Sequence, residues 1–138
     1  MNSMTKEPQF LSTSEVIALH KALISLYGGH HGIRDHGLLD SAIQQCQVTF
    51  DGQYLYATIY DMTAAYVFHI IKNHPFIDGN KRTGIMCAII FLKINGYEFT
   101  ISTKQKGQNI LYEFAIQIAL SQLTIKEIAT FFKKHSCL

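Results

Sequence analysis

Hydrophobic side chains recur every three or four positions along most of the chain, which is the period of a helix with one buried face. The first such stripe consists of Val16, Leu19, Leu23 and Leu26. Similar stripes predict further helices over about residues 38–46, 57–72, 80–95, 110–120 and 124–134. The pattern therefore predicts an all-α protein.

Residues that begin and end helices support these boundaries. Ser12 and Glu15 have the spacing of a capping box, in which each side chain bonds the backbone N–H of the other residue. Thr124 and Glu127 have the same spacing before the last helix. Glycines favour helix ends, so the pair Gly28-Gly29 is expected to stop the first helix.

The middle of the fourth helix, IMCAIIFL at residues 85–92, is apolar on every side. Because such a helix is normally surrounded by others, we expect a bundle built around it. After this helix, YEFTI (97–101) predicts a short extended piece and STKQKGQ (102–108) a loop. Residues 1–9 are expected to form a flexible tail before a single domain of residues 10–138.

The composition excludes several classes of protein. Of the 138 residues, 48% are hydrophobic and 16% charged, which is typical of a packed globule and not of a disordered chain. A net charge of +2 with scattered basic residues argues against nucleic-acid binding. The N-terminus has no signal-peptide pattern, no apolar run could cross a bilayer, and three cysteines lack a CxxC motif. We therefore expect a cytoplasmic protein with no membrane partner.

One stretch, NHPFIDGNKRTG at residues 73–84, collects polar side chains between two very apolar segments. A helix beginning at Asn80 leaves backbone N–H groups without partners, and such groups bind anions. Gly79 allows the backbone to approach a ligand closely. The helix dipole disfavours Lys81 and Arg82 at this end unless an anion such as a polyphosphate lies over them. The stretch therefore predicts a phosphate-binding site.

The same loop carries a candidate base and a candidate metal ligand. Asp78 lies beside the expected phosphate site, where one carboxylate together with phosphates could hold Mg²⁺. His74 could accept a proton from a hydroxyl near neutral pH. Phe76 between them is expected to insert into the core and keep the loop rigid. Together these residues suit the transfer of a phosphoryl or nucleotidyl group to a hydroxyl.

Two other functions stay open at this point. His69 with His74 and Asp78 suggests a metal-dependent hydrolase, and the loop could also belong to a module that binds nucleotide without turnover. His69 and His74 are five positions apart, so they would not share a helix face. His69 is therefore expected to be a core residue.

The stretch HPFIDGNKR resembles the signature of the Fic/Doc superfamily, H-x-F-x-[D/E]-G-N-x-R. Residues 32–42, GIRDHGLLDSA, preceded by LYGG, resemble the N-terminal segment of its Doc branch, the death-on-curing toxins. The resemblance covers roughly Phe10 to Tyr97 and implies the single-domain helical fold of that superfamily.

The resemblance implies the toxin of a toxin–antitoxin pair. Doc proteins carry Asn-Lys-Arg-Thr, as residues 80–83 do, and resemble kinases that use ATP and Mg²⁺ to phosphorylate a threonine of elongation factor Tu, which blocks translation. The alternative is AMP transfer by a Fic-type adenylyltransferase, which usually has Gly at the position of Lys81 and a second Arg at that of Ile85. Gly79, in contrast, is more typical of the adenylylating branch.

By resemblance, His74 is the base, Asp78 binds Mg²⁺ and orients His74 or the substrate, and residues 79–82 contact the phosphates. Arg34 and Asp35 either lie near the mouth of the site or fasten their loop by an ion pair. The chain lacks the inhibitory pattern [S/T]-x-x-x-E-[G/N] of some relatives. The resemblance therefore implies a separate Phd-like antitoxin that inserts a helix into a groove beside the site.

Overall fold

The computed structural model describes residues 7–101 and 104–138, with the backbone alone over residues 104–109. Its helices are α1 (Thr13–Tyr27), α2 (His36–Gln45), α3 (Ile59–Asn73), α4 (Asn80–Ile94), α5 (Lys104–Ala119) and α6 (Ile125–Lys134). Two antiparallel pairs of two-residue strands accompany them, β1 (Thr49–Phe50) with β2 (Gln53–Tyr54) and β3 (Glu98–Phe99) with β4 (Ser136–Cys137). The prediction of an all-α fold is confirmed in that the structure is mostly helical, and the two short strand pairs depart from it. Among the described residues, no helix has the length and apolar content to span a bilayer.

Helix α3 lies at the centre of the molecule. It packs against α2, α4, α5 and α6, and its residues 62–67 are all buried. The prediction that α4 is the central, wholly buried helix is not confirmed, because Met86, Ile89 and Ile90 are partly exposed. Helix α4 packs on α1, α3 and α5, and its Met86 side chain lines an open cleft. An apolar helix can thus form the wall of a cleft instead of a core.

The capping predictions are confirmed. Ser12 and Glu15 bond each other's backbone N–H groups at the start of α1, and Thr124 and Glu127 do the same at α6. Helix α1 ends before Gly28, whose φ of +90° a residue with a side chain rarely adopts. The two helix starts follow from side chains that bond the free backbone N–H groups, and the end of α1 follows from a glycine that can adopt a positive φ.

Two local predictions are corrected. Helix α2 begins at His36 instead of residue 38, because the Asp35 carboxylate accepts a backbone N–H of its first turn and caps it. The loop predicted over 102–108 is wrong where the structure describes it, since α5 begins at Lys104. Lys and Gln are strong helix formers, and they outweigh the penalty of Gly107. The first two residues of that stretch lie outside the described residues.

The segment before α1 packs onto the bundle. The Tyr66 hydroxyl accepts the Leu11 N–H at 2.9 Å and donates to the Leu11 carbonyl at 3.3 Å. The Gln9 N–H donates to the side-chain oxygen of Asn95 at 2.8 Å. Most of the predicted tail, residues 1–6, lies outside the described residues, and its flexibility stays a prediction.

Candidate active site

The loop between α3 and α4 turns sharply at both ends. His74 closes α3 with φ 51° and ψ 54°, and Gly79 precedes α4 with φ 80° and ψ 18°. Both conformations are left-handed, which glycine adopts freely and histidine uncommonly. The two turns bring His74 and the first turn of α4 to the same cleft.

Asn80 fixes the shape of this loop. Its side-chain oxygen accepts the Phe76 N–H at 2.9 Å, and its side-chain amide donates to the Phe76 carbonyl at 2.9 Å. The side chain is buried, with 4% of its surface exposed. Asn80 therefore holds the loop with its side chain, and its backbone N–H remains for an anion.

Phe76 is buried under the loop and stacks on a histidine of α1. Its ring is 0% exposed and lies parallel to that of His20, with centroids 3.8 Å apart and an angle of 6° between planes. Its neighbour Ile77 donates its N–H to the Gly32 carbonyl at 3.0 Å, and Ile33 forms an isolated antiparallel bridge with Phe76. The loop is therefore attached both to α1 and to the segment before α2.

Backbone N–H groups hold the Asp78 carboxylate from two sides. Its Oδ2 accepts the N–H of His30 at 3.0 Å, and its Oδ1 accepts that of Gly79 at 2.9 Å. These bonds, that of His30 first, lower the pKa of Asp78 below its ordinary value, and the Arg82 charge adds to them. The carboxylate is thus kept ionised, with lone pairs left for a cation.

Helix α4 begins without a capping side chain. Its first backbone hydrogen bond runs from the Thr83 N–H to the Gly79 carbonyl, 2.9 Å away. The N–H groups of residues 80–82 therefore have no partner within the helix. The exposed side chains of Lys81 and Arg82 line the cleft beside them. This arrangement suits an anion, because dipole, N–H donors and cations all favour negative charge.

The Arg82 guanidinium is held over an aromatic ring. Its central carbon lies 5.1 Å from the centre of the Tyr27 ring, and Nη1 donates to the Gly28 carbonyl at 3.4 Å. Cation–π contacts of this kind stabilise by about 0.5–1 kcal/mol at exposed sites. The guanidinium is thus oriented by the end of α1 and keeps further N–H donors for phosphate oxygens.

Arg34 and Asp35 bond backbone groups in different elements. Arg34 donates through Nε to the His74 carbonyl at 2.7 Å and through Nη2 to the Asn73 carbonyl at 3.0 Å. Asp35 accepts the Leu38 N–H at 2.9 Å. The segment is therefore fastened through the carbonyls that end α3 and not through an ion pair between Arg34 and Asp35. Neither residue is among those that line the cleft.

The cleft has a volume of about 880 Å³, which is within the range of small-molecule sites. The loop between α3 and α4 forms one part of it. Apolar side chains of α1, α4 and α5 form most of the rest, among them Leu23, Leu26, Tyr27, Ile85, Met86, Leu111 and Tyr112. Ile85, which lines the cleft, stands at the position where Fic-type adenylyltransferases usually have a second Arg.

The geometry gives little support to a hydrolase with a protein-only metal site. In the ranges described, no three His, Cys, Asp or Glu side chains are grouped so that they could hold a metal. His69 is half-buried on α3, and its Nε2 lies 3.0 Å from the Tyr56 hydroxyl. A Mg²⁺ ion held by Asp78 and by substrate phosphates suits the donors present.

The sequence analysis missed two residues that support the loop, His20 and Gly29. His20 bonds the Asp78 carbonyl through Nε2 at 2.8 Å, and burial lowers its pKa. A Cβ atom at Gly29 would lie 2.7 Å from Oδ2 of Asp78. The one available signal was that His20 follows Val16 by four positions, which puts a polar ring on the apolar stripe of α1.

Known proteins share both the motif and much of the chain. The family model for the Fic/DOC family matches residues 10–92. The chain is 42% identical over 72 residues to "Toxin Doc" of Mycolicibacterium smegmatis, covering 52% of this chain and 55% of that protein. It is 29% identical over 119 residues to "Protein kinase doc" of Escherichia phage P1, covering 86% and 89%. The aligned part thus spans about half of the first relative and most of the second. The chain belongs to the Fic/DOC family, within its Doc branch.

Proposed function

We propose that this chain is a cytoplasmic Doc-like toxin that transfers the γ-phosphoryl group of ATP to a Ser or Thr hydroxyl of a protein. Family resemblance suggests elongation factor Tu as that protein and a block of translation as the result. The observation that carries the proposal is the uncapped start of α4 beside the Asp78 carboxylate, in a cleft that His74 also lines.

Each step of the reaction has a residue suited to it. His74 accepts the proton of the target hydroxyl, whose oxygen forms the new bond to the γ-phosphorus. The bond from that phosphorus to the β–γ bridging oxygen breaks, and ADP leaves. The N–H groups of residues 80–82, with Lys81 and Arg82, hold the phosphates, and Asp78 would hold Mg²⁺. A Mg²⁺ ion held by Asp78 would supply positive charge beside the phosphates.

AMP transfer is the second candidate, and Gly79 is the feature that favours it. The features against it are Lys81, where adenylylating relatives usually have Gly, and Ile85. The Ile85 side chain is apolar and lines the cleft, so it supplies no second guanidinium for the phosphates. Phosphoryl transfer therefore agrees better with the composition of the cleft.

A Phd-like antitoxin helix is the partner that suits the apolar part of the cleft. Leu26, Tyr27 and Tyr112 have 72%, 64% and 65% of their surfaces exposed there. Large apolar side chains exposed together usually mark a binding surface. A helix laid against them would also cover the approach to the phosphate site, which would explain inhibition without an inhibitory segment in the chain.

The experiment that tests the reaction incubates the purified chain with elongation factor Tu, Mg²⁺ and ATP labelled at the α- or the γ-phosphate. The control is His74→Asn, since Asn tolerates the left-handed backbone of position 74 and carries no base. We expect label only from the γ position and a loss of about 100- to 10,000-fold in the variant.

Label from the α position would instead establish AMP transfer. No transfer from either position would contradict the proposed target or donor. Transfer of equal rate by His74→Asn would remove His74 as the base.

A further inference from the structure

His20 connects α1 to the centre of the active-site loop. It lies 58 positions before Asp78 in the sequence and is 2% exposed. Its ring stacks on Phe76 with centroids 3.8 Å apart, and its Nε2 lies 2.8 Å from the Asp78 carbonyl oxygen. One buried side chain therefore contacts the loop at two places, both between His74 and the start of α4.

The contact with the Asp78 carbonyl orients a whole peptide group. The carbonyl of Asp78 and the N–H of Gly79 belong to the same planar unit, so fixing one fixes the other. That N–H donates to Oδ1 of the Asp78 side chain at 2.9 Å. The position of the carboxylate is therefore linked through one peptide plane to the imidazole of His20.

The other carboxylate oxygen is fixed by the same part of the chain. Oδ2 accepts the His30 N–H at 3.0 Å, from the segment that follows α1. Helix α1 and its continuation thus determine the positions of both oxygens, one directly and one through the peptide. A carboxylate held in this way is pre-organised for a cation, because little freedom remains to be lost on binding.

We propose that His20 is a positioning residue for the transfer reaction, which holds the Asp78–Gly79 peptide and thereby aims the Asp78 carboxylate at Mg²⁺. This role rests on the proposed function, since it presumes that Asp78 binds the metal. A carbonyl oxygen can only accept, so His20 must carry its proton on Nε2. The stack on Phe76 keeps the ring in the plane from which Nε2 reaches the carbonyl.

Two substitutions separate the hydrogen bond from the stack. His20→Phe keeps a flat ring over Phe76 but has no donor, and His20→Gln keeps a donor near the place of Nε2 but no ring. The matched control is His69→Phe. His69 is also partly buried, contacts the Phe68 and Tyr56 rings, and bonds the Tyr56 hydroxyl, yet it is not among the residues lining the cleft.

The first readout needs no activity. In ¹H–¹⁵N spectra of the ¹⁵N-labelled chain without nucleotide, the Gly79 and His30 amide signals report their bonds to Asp78. We expect both signals to move in His20→Phe, to stay close to wild type in His20→Gln, and to stay unchanged in His69→Phe. Unchanged signals in His20→Phe would overturn the proposal.

The second readout is the Mg²⁺ dependence of transfer. We expect His20→Phe to lose about 10- to 100-fold in rate, with a higher Mg²⁺ concentration for half-maximal activity, as expected when a catalytic group is displaced by about 1 Å. His20→Gln should recover most of this loss. A rate loss with an unaltered Mg²⁺ dependence, also seen in His69→Phe, would show a general structural effect and contradict the positioning role.

A further measurement on the wild-type chain covers the case in which His20→Phe does not fold. Long-range ¹H–¹⁵N correlations of the imidazole should show the proton of His20 on Nε2, protected from exchange. A proton on Nδ1 would overturn the proposal. If wild type transfers no group at all, the proposed function fails, whereas the amide and imidazole signals still decide whether His20 positions Asp78.

Discussion

At position 29 the backbone has φ of +121°, and it passes so close to Asp78 that any Cβ would lie 2.7 Å from Oδ2. Gly28, one residue earlier, also has a positive φ, of +90°, but a Cβ there would meet nothing within 4 Å. The two adjacent glycines thus share a backbone requirement and differ in their distance from the carboxylate.

We therefore expect Gly28→Ala and Gly29→Ala to lower the free energy of unfolding by similar amounts, about 1–3 kcal/mol, for the strained backbone. Only Gly29→Ala should also displace Asp78 and weaken transfer, by about tenfold or more. Urea denaturation and initial transfer rates measure the two effects. Equal activity in both variants would mean that the Asp78 carboxylate does not need its present position.

Asn80 and Asn95 offer a second matched pair. Each side chain exchanges two hydrogen bonds with one residue's backbone, Asn80 with Phe76 in the interior and Asn95 with Gln9 near the surface. Asn80→Ala leaves a buried N–H and a buried carbonyl without partners, so we expect a loss of about 2–4 kcal/mol.

Asn95→Ala should lose less, about 1 kcal/mol, although Asn95 also bonds the Phe91 carbonyl, because water can replace its exposed partners. Urea midpoints of the two variants provide the comparison. A loss for Asn80→Ala no greater than that for Asn95→Ala would contradict the idea that the Asn80 side chain is a structural clamp of the loop.

The motif residues were predictable from the sequence because they lie within a dozen positions and their types are unusual together. Their support was not predictable. His20 and Gly29 act on Asp78 from 58 and 49 positions away, and the local sequence around each residue does not indicate that it contacts Asp78. Only the three-dimensional structure shows that α1 and the segment after it lie against the loop of residues 74–79.

At the scale of the element, α4 carries one lysine near each end, and the surroundings of the two lysines differ. Lys81 is in its first turn and lines the cleft at the proposed phosphate site, and Lys93 is in its last turn, where the helix dipole favours a cation. We expect Lys81→Gln to weaken binding of Mg²⁺-ATP by roughly tenfold, through loss of a charge-assisted bond.

Lys93→Gln should leave this affinity unchanged while removing the same charge from the same helix. Isothermal titration calorimetry at fixed ionic strength compares the two. If both substitutions weakened binding equally, the effect would come from net charge and not from a contact at the start of α4.

Helices with a clear apolar stripe were predicted well, whereas strands β1, β2 and β4 were not predicted. The turn of the β1–β2 hairpin, Asp51–Gly52, has φ of 54° and 80° at its two residues. Asp-Gly is a strong hairpin signal, but strands of two residues leave too little alternation to recognise. The extended piece expected at residues 97–101 contains β3, since the alternation of YEFTI continues beyond the two residues that pair in the sheet.

At the scale of the whole molecule, the half-buried His69 makes the free energy of unfolding depend on pH. Burial lowers the pKa of His69 from 6.5 in the folded chain. The unfolded chain then binds more protons near that pH, so stability is fully present above about 6.5 and falls as the pH falls through 6.5 towards the folded pKa. We expect a lower urea midpoint at pH 5.5 than at pH 7.5.

The matched variant is His69→Gln, which keeps a polar side chain near the Tyr56 hydroxyl and cannot titrate in this range. Its midpoint should change less between the two pH values than that of wild type. An equal or larger change would mean that His69 does not contribute to the pH dependence, and that other groups cause it.

The distance along the chain between the candidate active-site loop and the residues that support it has a consequence for evolution. The loop occupies residues 74–79, while the side chain and the bare backbone that hold Asp78 come from residues 20 and 29. A homologue with any larger residue in place of Gly29 would still contain the complete motif HPFIDGNKR. Its Asp78 carboxylate, however, would be displaced. An intact motif in a relative of this chain is therefore not sufficient evidence that the relative is an active enzyme.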